Sequence, residues 1–548
     1  MNGPTVFQND SRQAKAMFSE MQLAPGDYRL ALVYRILDNP HRNVNLMRVQ
    51  VMDAASNASL RSVVLPRKLD PDAAPGPLTC QVLFSLPSAR RLKVAVELSD
   101  MGRVAIDSTA VTKVQRPPLP EHPAILFINP DRGFSAEHIV HQGISSIAAY
   151  LRPRGVQSHA LITSTSDDDT IYACVERYRY PYVGFYVNSD SSALGVVRHL
   201  TENIKRRHPE VKFMAGGPHA TLSPADLMRD IPLMDICVKG EGEKPCLQIL
   251  SGQEWGKVQG ISYRTEGTVA ENGEQPLLHA NELPTPLRDN YINPDWNAHS
   301  LTTSRGCPNN CHFCIGHRIF GRTIRFRPLE HIDRELQWLY ENCDHSRVVS
   351  INDDMFNMRR DRTLSLMAVF RKYPFFYFPR GMRADRLDAE TTRAMREAGV
   401  VGTSIGIEQA DNQALKAMQK GETLEDIDRG IKHLRDNNIG IVAQFMIGNI
   451  GDTLETVKRT IDYSLRHRFA DLNMSCAIPF PGTYLEKYVK DNNLLLKEPY
   501  QVFDDVENGN VCIYFETPAF PLKDRIKAVE LACEAGLLRR RSRHNARN

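Results

Sequence analysis

Three cysteines stand close together in this sequence, Cys307, Cys311 and Cys314, at spacings of four and three residues. They follow Leu301-Thr-Thr-Ser-Arg-Gly306, which reads as a buried strand ending in a glycine loop. A loop carrying three thiolates can hold three irons of a cubic iron–sulfur cluster. The fourth iron then keeps an open position for a small molecule. The residue before the third cysteine is aromatic, Phe313. A structural zinc loop or three unpaired thiols are the other uses of such a triplet. Zinc sites prefer two C-x2-C halves and a fourth ligand, and no such ligand is evident nearby.

The elements that must position this loop come after it. From 299 to 490 the sequence predicts strands over 347–352, 375–378, 401–407, 441–447 and 472–478, with helical segments such as 424–434 and 454–465 between them. With the strand before the cysteines, these make a partial βα barrel whose site lies at the strand C-termini. Residues 119–265 also alternate strand and helix, with apolar strands over 124–129, 182–187, 211–215 and 235–239. That pattern predicts a parallel doubly wound sheet with ligand loops at its C-terminal edge. Residues 1–118 predict short strands over 28–34, 47–51, 79–84, 92–98 and 104–111, hence a small β-sandwich of jelly-roll kind. Arg116-Pro-Pro-Leu-Pro120 reads as a stiff linker, 266–298 as a connector, and 491–548 as a C-terminal cap ending in the basic tail Arg539-Arg-Arg-Ser-Arg543.

The chain has 548 residues, 42% of them hydrophobic and 24% charged, enough for three or four domains with full cores. A net charge of +3 is too small to argue for nucleic acid. Of eleven cysteines only the triplet is tightly grouped, which is intracellular usage. The first residues have no basic and apolar leader pattern, and no run approaches the ~20 apolar residues of a membrane span, so the expected location is the cytoplasm.

The C-x3-C-x2-C triplet, with Phe313 inside it, resembles the signature of radical S-adenosylmethionine (SAM) enzymes. The resemblance implies that Cys307, Cys311 and Cys314 hold a 4Fe–4S cluster whose open iron takes the methionine end of SAM. Polar residues at later strand ends match the family in order. Asn352, Asp353 and Asp354 stand where SAM's amino end is held, and Arg383 follows the next strand. Glu408 resembles a ribose or methionine contact, Gly448 follows the fifth strand, and Pro479 opens a segment that packs beside adenine. The domain before the barrel resembles the cobalamin-binding domain joined to many of these enzymes. That domain carries D-x-H-x-x-G, S-x-L and G-G motifs; Ser192 and Leu194 match the second, and Gly216 and Gly217 the third. The first is missing, since Asp131-Arg-Gly-Phe-Ser-Ala-Glu-His138 lacks its spacing. Cobalamin is therefore expected without a lower-face histidine, and His138, His141 and His219 are read as surface or loop histidines. A Rossmann-like domain without cobalamin is the alternative.

The expectation is thus an α/β chain: an N-terminal β-sandwich, a doubly wound Rossmann-like cobalamin-binding domain and a radical SAM partial (β/α)6 barrel. The resemblance implies methylation of an unactivated carbon, or occasionally phosphorus, in a small molecule such as a sugar, lipid, peptide or antibiotic precursor. A 5′-deoxyadenosyl radical would take a hydrogen from the substrate and methylcobalamin would supply the methyl group. A flavodoxin or ferredoxin is the implied electron donor. No single residue is singled out as catalytic. Two rivals stay open. One is a cyclase-like or methylthio reaction on the same scaffold, although the second cysteine set of a methylthiotransferase is missing. The other is a cobalamin- or glycan-binding adaptor with a silent barrel, against which the complete cysteine loop argues.

Overall fold

The computed structural model describes residues 5–8, 14–24, 26–38, 45–53, 59–66, 78–86, 90–98, 103–113, 120–130, 141–163, 168–188, 194–292, 299–342, 348–467, 469–497 and 513–538. The N-terminal strands are β1 (Thr5–Gln8), β2 (Ala14–Leu23), β3 (Gly26–Asp38), β4 (Asn45–Asp53), β5 (Ser59–Pro66), β6 (Leu78–Leu86), β7 (Arg90–Leu98) and β8 (Arg103–Lys113). They form two antiparallel four-stranded sheets in the orders β1-β8-β3-β6 and β2-β7-β4-β5. Apart from the β4–β5 hairpin, successive strands trade between the sheets, as in two interleaved Greek keys. Strand β2 escaped the sequence reading because its pairing with β7 shifts register between Phe18 and Met21. Such a bulge breaks the period-two pattern that marks a strand. The linker 116–120 and the basic tail lie outside the described residues, apart from Pro120.

The second sheet has seven strands: β9 (Ile125–Pro130), β10 (Ser158–Thr163), β11 (Tyr182–Tyr186), β12 (Lys212–Gly216), β13 (Ile236–Val238), β14 (Ile261–Thr265) and β15 (Thr268–Glu271). Their order is β10-β9-β11-β12-β13-β14-β15. The first five are parallel, in the doubly wound order 2-1-3-4-5. Helices cover both faces. On one face lie α1 (Gln142–Leu151) and, later in the chain, Glu243–Leu250; on the other lie α2 (Asp168–Tyr178) and α3 (Leu194–Arg207). Alternate strand residues feed the two cores: Ile125 and Phe127 face α1, while Leu126 and Ile128 face α2 and α3. The parallel expectation fails at the far edge, where β14 and β15 run antiparallel. The expected domain boundary at 265 falls in their turn, at Glu266 and Gly267, both with positive φ. A turn of that hand joins a tight hairpin.

The connector is built into the fold. Tyr291 bridges to Ala160 of β10, and the buried Arg288 pairs with the buried Glu335. The barrel strands are β16 (His299–Leu301), β19 (Val348–Ile351), β20 (Phe376–Pro379), β21 (Gly402–Glu408), β22 (Gly440–Ile447) and β23 (Asp471–Cys476); between the first two, β17 (Ser304–Arg305) and β18 (Arg325–Phe326) form a small antiparallel hairpin. The six barrel strands are parallel and form two three-stranded groups, β16-β19-β20 and β21-β22-β23. Among the described residues the groups are joined by the single bridges Tyr377–Val400 and Met382–Ile405 and by the Thr403 hydroxyl donating to the Pro379 carbonyl. Outer helices start on side-chain caps, for example Thr423 before Leu424–Asp436 and Thr453 before Leu454–Arg466. One continuous hydrophobic core runs from Ile125, Ile144 and Ile249 of the second domain through Leu301 and Ile332 to Ile405 and Ile461 of the barrel. Among the described residues no helix is long and apolar enough to cross a membrane.

Candidate functional site

The C-terminal edges of the second sheet and of the barrel face each other across one cavity of about 800 Å³. On the sheet side it is lined by the ends of β9 and β11, by Gly216 and Gly217 after β12, and by Gly240 to Glu243 after β13. This is the crevice beside the switch point of the strand order, where doubly wound sheets take ligands. On the barrel side it is lined by Ser304, Arg305, Asn352, Asp354 and Arg380, among others. The volume lies within the range of small-molecule and cofactor sites.

The two glycines differ in what they do. Gly217 has φ +100°, and a Cβ there would come within 2.7 Å of the Val187 carbonyl and the Tyr186 ring. It lets backbone turn tightly against backbone. At Gly216 a Cβ would meet nothing within 4 Å, so its missing side chain leaves open space at the cavity wall. A bare-backbone wall of this kind suits a large flat guest such as a corrin. Leu194 is buried in the second core and away from the cavity lining, and Ser192 lies outside the described residues.

His219 differs from the expectation, while His141 stands in the loop before α1 as expected but faces inward. His141 lines the cavity, caps helix α1 by accepting the Ile144 N–H at 3.1 Å, and packs against Tyr186. Burial lowers its pKa to about 4. His219 is 1% exposed, at a short helix over Pro218–Leu222, and is no surface histidine. His138 lies outside the described residues.

The cysteine loop hangs from the β17–β18 hairpin. Asp353 builds its base: one carboxylate oxygen accepts the Thr303 N–H at 2.6 Å, and the other accepts the hydroxyls of Thr303 and Ser304. Both oxygens of Asp353 are thus spent on the protein. Its neighbour Asp354 lines the cavity and, among the described residues, accepts the Gly306 N–H at 3.0 Å through one oxygen. Asn352 also lines the cavity, its amide held by Ser300 Oγ at 2.9 Å.

Burial raises the Cys311 thiol, and raises that of Cys314 to about 11, with the charges of the other cysteines adding to it. Thiols held this way ionise when a metal cation meets them. Asn309 donates to Cys307 Sγ at 3.3 Å and the Gly316 N–H to Cys314 Sγ at 3.4 Å, the hydrogen bonds that tune cluster sulfurs. Among the described residues no three Cys, His, Asp or Glu side chains close around a single ion. A cubic cluster, whose ligand sulfurs sit on separate irons, does not need them to. The donor set fits a three-cysteine cluster. Phe313 packs where the barrel core meets the smaller core around Leu485 and Phe515.

Of the remaining expected residues, Glu408 and Arg383 stand close enough to Cys311, with Lys420, for their charges to act on its thiol. Glu408 has φ +67°, a conformation that costs a non-glycine residue about 1–3 kcal/mol and marks functional sites. It accepts from the buried Lys420 at 3.3 Å. Burial would lower the Lys420 ammonium, but Glu408 and Glu422 raise it. Arg383 is spent on Asp385 and on the carbonyls of Lys420 and Gly421. Gly448 donates to Asp452 at 2.7 Å, and its carbonyl accepts from Arg525 of the C-terminal helix Leu522–Glu534 at 2.9 Å. Pro479 is buried after β23.

Sequence reasoning missed the contacts between domains. Arg305 reaches Glu241 and Glu243 at 2.8 Å each, and Arg325 reaches Glu241 at 2.9 Å. Burial alone would raise the Glu241 carboxyl; the Arg325 hydrogen bond and the Arg305 charge reverse this and hold it below the usual range. The run Gly-Glu-Gly-Glu at a strand end was the available signal.

Comparison with known proteins agrees with this geometry. The B12 binding domain family matches residues 135–250, and the radical SAM superfamily matches residues 301–464. An uncharacterized methyltransferase of Pyrococcus horikoshii is 27% identical over 375 residues, covering 66% of this chain and 81% of that protein. The anaerobic magnesium-protoporphyrin IX monomethyl ester cyclase of Rubrivivax gelatinosus is 24% identical over 361 residues, 61% of this chain and 64% of that one. The structure of the radical SAM methyltransferase TsrM of Kitasatospora setae, with cobalamin and a 4Fe–4S cluster bound, has the same fold. Its TM-score is 0.61 at 16% identity, covering 77% of this chain and 92% of the other. A B12-binding domain set directly before a radical SAM barrel, with a three-cysteine loop at their junction, makes this chain a radical SAM enzyme with an attached B12-binding domain, a combination whose cofactors are a 4Fe–4S cluster, SAM and cobalamin.

Proposed function

We propose that the chain methylates an unactivated carbon of a small molecule, with the reaction housed in the cavity between sheet and barrel. The observation that carries this is the shared lining. Gly216, Gly217, Asn352 and Asp354 border one space, so a corrin on the glycine wall and SAM at the barrel mouth would meet across it. When bound, the cluster and SAM supply an adenosyl radical, and cobalamin supplies a transferable methyl group.

The chain's own residues do the rest. Cys307, Cys311 and Cys314 hold the cluster. Asp354, with its second oxygen uncommitted to the hairpin, is suited to the amino end of SAM, and Asn352 stands beside it. Asp353 serves indirectly, by fixing Thr303 and Ser304 beneath the loop. Glu408, held by Lys420, is suited to a ribose or methionine contact, with Gly448 and Pro479 bounding the site beyond it. Arg383 positions the Lys420–Gly421 turn. The bare walls at Gly216 and Gly217 admit the corrin, and His141, neutral at ordinary pH, borders it. The apolar flanks exclude water from a radical step. The N-terminal sheets we read as a sandwich that docks or dimerises. A small reductase such as a flavodoxin or ferredoxin supplies electrons.

The test needs no identified substrate. Reconstituted protein is given a reductant, cobalamin and SAM labelled in its methyl group. Deoxyadenosine together with label on the protein-bound cobalamin is the expected result. Deoxyadenosine without labelled cobalamin would overturn methyl transfer and favour a cyclase-type oxidation, the reading that the likeness to the porphyrin cyclase supports.

A further inference from the structure

We infer that Glu241 and Glu243 are positioning residues that fix the cluster hairpin against the cobalamin cavity; this deepens the proposed function and rests on it. Arg305 and Arg325 face each other as a cross-strand pair in the β17–β18 hairpin. They stand at its neck, one just before the cysteine loop and one after it. A single carboxylate, Glu241, holds both arms: Oε1 accepts from Arg305 and Oε2 from Arg325. The second fork of Arg305 goes to Glu243 at 2.8 Å and to Ser146 on α1 at 2.7 Å, and Ser146 donates to Glu243 at 2.7 Å. Two cations thus meet two anions, and no side chain of the four is more than 13% exposed.

The clamp spans two domains. Its acids belong to the turn from β13 into the helix Glu243–Leu250, where Gly240 to Glu243 line the cavity. Its bases belong to the stem of the cysteine loop. The fit around it is close. A Cβ on Gly242 would come within 2.7 Å of Ile147 on α1, and one on Gly306 within 2.5 Å of the Thr323 carbonyl. The hairpin therefore cannot slide along the cavity floor without breaking three largely buried, charge-assisted hydrogen bonds between arginine and carboxylate. One loop sets the position of both the corrin wall and the cluster stem. Buried charge networks can fix register in a fold even where they add little to its stability. A misplacement on the order of 1 Å can cost about 100-fold in rate.

The experiment uses the full chain reconstituted with iron, sulfide and cobalamin. Wild type, Glu241→Gln, Glu243→Gln and Ser146→Ala are compared. The readout is the magnetic dipolar interaction between the reduced cluster and the Co(II) form of the cobalamin, taken per protein holding both. A merely stabilising role would not move it. Expected are one well-defined interaction in wild type, a broadened or weaker one in both glutamine variants, and a smaller change in the same direction in Ser146→Ala, which removes no charge. Label reaching cobalamin per deoxyadenosine formed should fall at least tenfold in the glutamine variants. Wild-type spectra and ratios in every variant that retains both cofactors would overturn the inference. So would loss of folding in the glutamine variants with an unchanged Ser146→Ala spectrum. Wild-type protein that takes up no cobalamin would instead sink the proposed function, and that is read before any variant.

Discussion

Gly216 and Gly217 are adjacent, yet substituting them should do opposite things. Alanine at 217 would be forced to φ +100° and ψ −174°, a region open essentially only to glycine. Strain there costs about 1–3 kcal/mol. The new methyl would also press on the Val187 carbonyl at 2.7 Å. That carbonyl is held by the His219 N–H at 3.2 Å and the Val187 N–H by the Gly216 carbonyl at 2.8 Å, so relief must move the strand end. Gly217→Ala should therefore lose roughly 2 kcal/mol or more. Alanine at 216 meets nothing. Its reduced freedom in the unfolded chain should add about 0.4–1 kcal/mol. The two variants should then differ by about 3 kcal/mol, or roughly 3 °C in Tm, because a single unit of several hundred residues unfolds with an entropy on the order of 1 kcal/mol/K. Cobalamin binding, followed by absorbance titration, should weaken at least tenfold, about 1.4 kcal/mol, in Gly216→Ala, because its methyl enters the cavity. Equal melting temperatures would refute the conformational argument, and undiminished binding by Gly216→Ala would remove the corrin from this wall.

Three further outcomes are expected. The triple substitution of Cys307, Cys311 and Cys314 to alanine should abolish the cluster, and four irons retained after anaerobic reconstitution would contradict the assignment. Glu335→Gln leaves Arg288 and Arg327 facing an uncharged side chain at a site where none of the three side chains is more than 3% exposed, and should cost about 3–5 kcal/mol in urea unfolding. Burial raises the Asp452 carboxyl from 3.8 to about 7, so the native state binds more protons than the unfolded state between those values and loses stability as pH rises through that window. Asn at 452 does not titrate, so the stability of Asp452→Asn relative to wild type should climb by an amount on the order of a few kcal/mol from pH 4 to 7 and level off above it, a trend that urea midpoints at pH 4.5, 6 and 8 would test.

The cysteine triplet and the alternation of strands with helices were legible because both are local: a spacing in one loop, and apolar runs in elements short enough to show in the chain. The six barrel strands and four of the five parallel strands of the second sheet were read this way. Strand β10 was not, since Ser158-His-Ala-Leu-Ile-Thr163 begins with two polar residues that the fold buries, His159 being 0% exposed with its ring held by Tyr180 and the Pro120 carbonyl. The choice between Asp353 and Asp354 was also hidden. Adjacent carboxylates at a strand end point different ways, and only the position of Thr303 decides which is consumed. The clamp of Arg305 on Glu241 joins residues 64 positions apart, a distance at which spacing carries no signal.

The continuous core beneath the cavity has a consequence for how this molecule can be cut. One face of the seven-stranded sheet has no separate interior; Ile144, Ile249 and Ile261 share theirs with Leu336 and Val349 of the barrel. A fragment ended at the connector would turn that face to water and invite aggregation. The sequence presents two modules in tandem, but the packing makes them one cooperative folding unit. Limited proteolysis should release the N-terminal sheets as a piece and leave the rest of the chain undivided, and exchanging either module for a relative's would require the shared interior to be exchanged with it.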